Sequence, residues 1–475
     1  MQYQGSVSVV GNNSEAEIAA IAKEAYIYAY ALIVHYGFFH AQSVDEASPI
    51  YVGFNKFFIF RQQGSPDYFN KVPWVNTDTA YTVITLDLRT EPYVLRVPSL
   101  EKHRYYMVQF YDFYTHTPYI RSTANFGNSG KTFLFAGPEW SGEVPPGIDE
   151  VVRSETQFGG LFLRILLESG DTYEDVFKLY ETWGFQPLSE FLGVDPPKPA
   201  PPIEFPLPTW NPKVDPFFEA KSTEFIPYLN FMMGFCPIHP SERDLFERFA
   251  RIGIVPGRDF KESQRYVDAM NPSVRATINA AIDEVYPQID QRVASMGTYR
   301  NGWMLPLENK RGFRERLAGS HQALLNRAAL AKWATWLPDG ASVTYVVGNF
   351  DDHGVQLDGS LHNYRIHFPE APPCKGFWSL TVYDAYGRVL VPHPSGRYAL
   401  RDRSPGPIYN PDGSLTLYLQ HDAPVESVLR NWLPVPKIPF QVVLRLHCPP
   451  QAVIDARYQY PPIQRSEGKV KPDSL

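Results

Sequence analysis

Between Ile18 and Phe39 the chain reads "IAAIAKEAYIYAYALIVHYGFF", apolar on nearly every face. Ser14-Glu15-Ala16-Glu17 just ahead of it has the capping-box pattern, so the spacing predicts a helix beginning after Ser14. A membrane span needs about 20 uninterrupted apolar residues. Lys23, Glu24 and His35 interrupt this run, which predicts a buried core helix with His35 as a satisfied core histidine. From Thr79 the period changes to two. Ala80, Thr82, Ile84, Leu86 and Leu88 fall on one face, and Tyr81, Val83, Thr85, Asp87 and Arg89 on the other. "RTEPYVLRVP", "RYYMVQFYDFY" and "KTFLFAGPEW" continue the strands. "DTYEDVFKLYETWGFQPLSEFL" returns to a helical pattern, with Asp171 as its expected N-cap.

A Pro-rich run, "VDPPKPAPPIEFPLPTWNP", must be extended, because proline lacks the amide donor that a helix or central strand requires. Its aromatic residues suggest a strap over the surface. Several helical pieces follow, the clearest being "PSERDLFERFARIG", with Ser241 as expected cap and a Gly stop. Alternation resumes at Ala341 and runs nearly to Pro449, before a polar tail after Tyr460. At 475 residues the chain exceeds one ordinary core. The expected organisation is an N-terminal helix plus first β-sandwich domain over 1–193, a strap over 194–214, and a helical segment over 215–335. A second β-sandwich domain over 336–460 and a frayed tail over 461–475 complete it.

The two β-rich stretches repeat. "YVLRVPSLEKHRYYMVQFYDFY" from Tyr93 aligns with "YRIHFPEAPPCKGFWSLTVYDAY" from Tyr364, matching Pro98 to Pro369, Tyr106 to Trp378 and Asp112 to Asp384. Both copies end in Tyr-Asp-x-Tyr, where the aspartate is expected to close an Asx-turn. The fold class expected is α+β, mainly β: two jelly-roll-like sandwiches from an internal duplication, with helical N-terminal and middle segments. Residues found in one copy only, such as Asn76 to Tyr81, are better candidates for function than those in both.

Composition narrows the classes. The 44% hydrophobic and 20% charged residues are globular, and the net charge of −7 is spread without basic blocks, which disfavours a nucleic-acid binder. Aromatic residues make up 15% of the chain, a level that fits a β-rich core or an aromatic-lined pocket. Three widely spaced cysteines give no disulfide framework or paired metal spacing. The N-terminus lacks the pattern of a signal peptide, so the expectation is a cytoplasmic protein, or a secreted one whose signal is not in this sequence. The sequon Asn12-Asn13-Ser14 is too short a pattern to weigh.

"NTDTAYTVITLDL", "RYYMVQFYDFYT", "FLRILLESGDTYEDV" and "LSEFL" resemble the bacterial and viral domain-of-unknown-function family numbered 1254. "NGWMLP", "NRAALA", "FWSLTVYD", "RYAL", "DGSLTLYLQHDAP" and "NWLPVP" resemble its usual C-terminal partner, family 1214. The resemblance implies two jelly-roll-like sandwiches with helical additions and brings no general activity. Family 1254 commonly carries a basic residue before Asp-Thr where this chain has Thr77.

Phosphate loops, His-Glu-x-x-His, Cys-x-x-Cys and Gly-x-Ser-x-Gly are absent from the sequence. The leading catalytic cluster joins Asp78, Tyr81, His116 and Arg164. Arg164 interrupts the apolar run "GGLFLRILLE", and a buried arginine needs an acid or a bound anion, for which Asp78 is the candidate partner. A carboxylate, a phenol and an imidazole could together move protons; the alternative is an Asp78–Arg164 ion pair that only clamps a strand. Candidate substrate-binding residues are Trp74, Asn76, Tyr106, Tyr114, Trp378, Arg397 and Tyr398. Asp351, Asp352, His353, His362 and His367 offer metal-ligand types, but a solvated turn explains them as well. No cofactor is called for, and a divalent metal stays open. The expected function is acid–base chemistry (hydrolysis, elimination or isomerisation/cyclisation) on a largely apolar or aromatic small molecule. The alternative is a carbohydrate-binding or assembly sandwich. Neither nucleic acid nor membrane is an expected partner, and homo-oligomerisation is compatible with the sequence.

Overall fold

The computed structural model describes residues 14–61, 74–168, 170–209, 221–295, 297–306, 321–403 and 405–466. The N-terminal sequon, the end of the strap, residues 215–220 and 307–320 of the helical segment, and the tail beyond 466 lie outside them. Helix Glu15–Ser43 carries the capping box, with Ser14 Oγ accepting from Glu17 N at 3.3 Å and the Glu17 carboxylate accepting from Ser14 N at 2.9 Å. It is long and apolar enough to cross a membrane, but most of its length is buried inside the protein. It packs against helices Pro272–Ala294 and His321–Ala334, so it belongs to the helical layer and not to the first sandwich. His35 is buried within it, its Nδ1 3.2 Å from Phe113 O.

The first β unit contains β1 (Phe58–Ile59), β2 (Thr79–Asp87), β3 (Tyr93–Ser99), β4 (Tyr106–Asp112), β5 (Tyr119–Ser122), β6 (Ser129–Ala136), β7 (Glu150–Arg153), β8 (Phe158–Leu166) and β9 (Gly184–Pro187). They form a sheet β1-β2-β8-β4-β5 and a second sheet β7-β6-β3-β9. The inward residues of both sheets, including Ala80, Ile84, Leu86, Leu95, Phe133 and Leu163, share one core. The predicted alternation of β2 is therefore realised.

The second unit contains β10 (Gly297–Arg300), β11 (Trp303–Pro306), β12 (Val343–Gly348), β13 (Asn363–Phe368), β14 (Trp378–Asp384), β15 (Ala399–Arg401), β16 (Leu415–Gln420), β17 (Trp432–Pro434), β18 (Phe440–His447) and β19 (Ile463–Ser466). Its sheets run β10-β11-β12-β18-β14-β15 and β17-β16-β13-β19. The order β2-β8-β4-β5 matches β12-β18-β14-β15, and β7-β6-β3-β9 matches β17-β16-β13-β19. The pairs β6–β7 and β16–β17 are both parallel.

Several local expectations are corrected. Helix Tyr173–Glu181 is capped by Thr172, not Asp171, and the pattern beyond it breaks into β9 and helix Leu188–Leu192, because Gly184–Pro187 adds an edge strand to β3. Helix Arg243–Phe249 has Glu242, not Ser241, at its N-cap, without a side-chain cap bond; Ser241 lies in the preceding 3-10 turn Pro240–Glu242, which His239 caps by accepting from Ser241 N. β10 and β11 fall inside the expected helical segment because Trp303 and Met304 pair with β12. The tail likewise begins with a strand, β19, paired to β13. The strap is held as expected: Arg89 donates to Pro201 O at 2.8 Å and Tyr36 to Pro206 O at 2.8 Å.

The large sheets also touch each other. Tyr105, Met107 and Leu166 from the first unit form one buried cluster with Val343 and Phe377 from the second. The outer face of the first large sheet thus meets the second unit through this cluster and the helical layer through Val83, Tyr111 and Phe162, which pack on Phe38 and Trp336.

Candidate functional site

Trp74–Asp78 crosses between the units before β2 begins. Asn76 Oδ1 accepts from Asp78 N at 2.6 Å and Thr79 N at 3.4 Å, an Asx-type turn that fixes the start of the strand. The carbonyls then tie to the second unit: Trp74 O accepts from Arg445 at 2.9 Å, Val75 O from the Tyr383 hydroxyl at 2.6 Å, and Thr77 O from Arg401 at 2.9 Å. Asp78 completes the tether. Its Oδ1 accepts from Arg401 Nε at 2.9 Å and its Oδ2 from the Ser379 hydroxyl, with the side chain fully buried.

Asp78 is therefore not the partner of Arg164, and with both oxygens engaged it holds the units together instead of meeting a substrate. Of the proposed catalytic group, Tyr81 and Arg164 do meet. They are register partners across β2 and β8, and the Arg164 guanidinium lies 5.2 Å from the Tyr81 ring centre. His116 does not join them. It bonds Asp112, five residues along β4 from Met107, the partner of Arg164, or about 17 Å away at strand rise. Asp384 forms the expected Asx-turn, accepting from Tyr386 N at 2.9 Å, whereas Asp112 closes a wider turn, accepting from His116 N four residues on at 2.9 Å.

The proposed binding residues also separate. Tyr106 and Trp378 point into the cores of their own units, because both occupy inward positions of β4 and β14. Tyr114 sits in the helical core, stacked on His116. Arg397 donates to Leu429 O at 2.8 Å and Arg430 O at 3.2 Å, which pins a loop. Asn76 is occupied by its turn. Trp74 and Tyr398 remain beside the inter-sheet face, both packing on Val347, Tyr383 and Val443.

A second Tyr–Arg pair faces the first. Tyr81, Arg164 and Met107 share one level across β2, β8 and β4; Tyr345, Arg445 and Ser379 share the corresponding level across β12, β18 and β14. Arg445 donates to Thr381 Oγ1 at 2.9 Å and the Tyr383 hydroxyl at 2.8 Å. Arg164 donates to Gln109 Oε1 at 2.6 Å and contacts Met107 Sδ at 3.3 Å. Burial pushes the Tyr345 phenol up to about 12, against the positive charge of Arg164 across the interface and of Arg445 beside it. Tyr345 is nonetheless only half-buried, as is Tyr81, although both lie on interior strands of covered sheets. Tyr345, Arg445, Tyr383 and Gln109 were not singled out from sequence. "QVVLRLH" has the same signal as "GGLFLRILLE", an arginine inside an apolar run.

Asp351, Asp352 and His353 bring potential ligand atoms within 4.8 Å of one another. Asp351 is already engaged, by Arg465 at 2.6 Å and by His353 N and Val355 N at 2.9 and 3.0 Å. This arrangement serves a turn. His367 lies apart, bonded to Thr416.

Paired sandwiches facing each other across a buried polar layer define the architectural class. The chain belongs to the proteins that join two families described as "Protein of unknown function", DUF1254 matching residues 54–187 and DUF1214 matching residues 342–451. The VPA0106 protein from Vibrio parahaemolyticus has a similar fold, with a TM-score of 0.71 and 24% identity over 95% of this chain and 100% of that one. An uncharacterized protein from Burkholderia cenocepacia aligns at a TM-score of 0.42 and 12% identity, covering 95% and 87%, too weak a likeness to carry an argument. Comparison with curated proteins finds no match.

Proposed function

We propose that this protein is an enzyme that turns over a small, largely apolar or aromatic molecule by acid–base chemistry in the space between the two large sheets. The carrying observation is that Tyr81 and Tyr345, on interior strands, keep accessible surface where a dry sheet contact would bury them. Phe162, Val83 and Trp336 pack in the buried cluster beside Tyr81, and Val347, Val443 and Trp74 in the one beside Tyr345, apolar surroundings that support an apolar substrate body. Tyr345, protonated at neutral pH with its phenol pushed up to about 12, is the proposed proton donor, and Arg164 the stabiliser of a developing oxyanion. Hydrolysis, elimination and isomerisation or cyclisation all fit these roles, and none requires a nucleotide. We further infer that the two sandwiches are jelly-roll-like copies of one duplicated unit; the matched strand orders and the two parallel pairs support this.

A metabolite screen followed by mass spectrometry tests the reading. With any substrate it yields, Tyr345→Phe is expected to lower kcat by about 100-fold or more, while Tyr386→Phe, at an exposed position, leaves it unchanged. Equal kcat in wild type and Tyr345→Phe would refute the role of the phenol.

A further inference from the structure

We infer that the inter-sheet space is a seat for an organic carboxylate with an apolar or aromatic body, gripped from both units by Arg164 and Arg445. This rests on reading that space as the substrate site and names the class of molecule it takes. Three arginines, Arg164, Arg401 and Arg445, project toward the inter-sheet region. Among the described residues, Asp78 is the one carboxylate in ion-pair contact with any of them, and its partner is Arg401.

Among the described residues, Arg164 and Arg445 therefore carry two buried positive charges with no carboxylate within ion-pairing distance; their exposures are 5% and 1%. Removing an ion from water is expensive unless an opposite charge and hydrogen bonds compensate. Arg445 meets most of this cost: it donates to Thr381 Oγ1, the Tyr383 hydroxyl and Trp74 O, and Tyr383 and Asp78 favour its charge, with its Nε left without a partner among the described residues. Arg164 is less well met, bonding one amide oxygen and a thioether sulfur among the described residues. The aromatic faces of Phe162 at 4.2 Å and Tyr81 at 5.2 Å soften the charge of Arg164 but supply no formal opposite charge.

The placement gives the deficit a geometry. The two arginines hold equivalent register positions, each beside a half-buried tyrosine, and both act on Tyr345. A planar guanidinium is matched by a carboxylate, which accepts two parallel N–H donors and supplies the missing charge. Phe162, Val83, Val347 and Trp74 around it suit an apolar or aromatic body better than a hydrated inorganic anion.

The test is thermal denaturation of the full chain at neutral pH with benzoate, its neutral isostere benzamide, and inorganic phosphate at equal ionic strength. Benzoate is expected to raise Tm saturably, on the order of 2 °C at tenfold its Kd, with benzamide and phosphate giving no comparable rise. Arg164→Gln is expected to lose at least tenfold in benzoate affinity. Equal responses to benzoate and benzamide, a response to phosphate alone, or unchanged benzoate affinity in Arg164→Gln would overturn the assignment. The readout is binding, so benzoate capture by a protein without turnover would remove the enzymatic reading and uphold this one. Turnover of a neutral substrate without a carboxylate response would do the reverse.

Discussion

Arg401→Met is expected to destabilise the protein by about 3–5 kcal/mol, the typical cost of removing one partner from a buried ion pair. The size follows from an asymmetry. The Asp78 side chain is 0% exposed whereas that of Arg401 is 29% exposed, so losing the arginine strands a carboxylate that cannot reach water. Asp78→Asn should cost less, because the released guanidinium can turn to solvent. The double variant should be more stable than Arg401→Met alone, since an amide is far cheaper to bury than an unpaired carboxylate. Urea denaturation of the four proteins of this cycle measures the coupling. A change within 0.5 kcal/mol for Arg401→Met would show that the pair does not clamp the units.

Acid should weaken the fold well above the range where most carboxylates titrate. Burial lowers His35 from 6.5 to about 4, partly offset by its bond to Phe113 O and the charge of Asp112, and burial likewise lowers His40 to about 4. His447, enclosed by Phe377 and Tyr105, is lowered well below its usual value, again chiefly by burial. Each binds its proton more readily in the unfolded chain. Stability is therefore complete above about pH 6.5 and declines as the pH falls toward 4. His35 alone should account for about 2 kcal/mol of loss between pH 7.5 and 5. Unfolding free energies at the two pH values, in wild type and His35→Phe, check this. The variant should show a slope flatter by that amount, and an identical slope would mean that His35 titrates normally in the fold.

What was legible in the sequence was local. The Ser14–Glu17 box, the faces of β2 and the Asp112 and Asp384 turns all depend on neighbours within a few residues or on strand periodicity. The repeat also identified β3 with β13 and β4 with β14. The partner of Asp78 was beyond that reach, because Arg401 lies 323 residues away and is brought there by the packing of one unit on the other. The apolar run around Arg164 marks it as a buried cation, but Asp78 is not its partner. Tyr81–Arg164 and Tyr345–Arg445 occupy matching register positions in the two units, so a reading that favours residues found in one stretch only passes over the second pair. His116 failed for a geometric reason, since sequence proximity to β4 did not say which end of the strand it would occupy.

A crystal structure of the protein with its tightest-binding screen hit tests most directly whether ligands enter between the large sheets. Electron density in contact with both Tyr81 and Tyr345 is expected. Well-ordered ligand elsewhere, such as at the Asp351–His353 turn or the Arg397 loop, with the inter-sheet space unchanged, would contradict it.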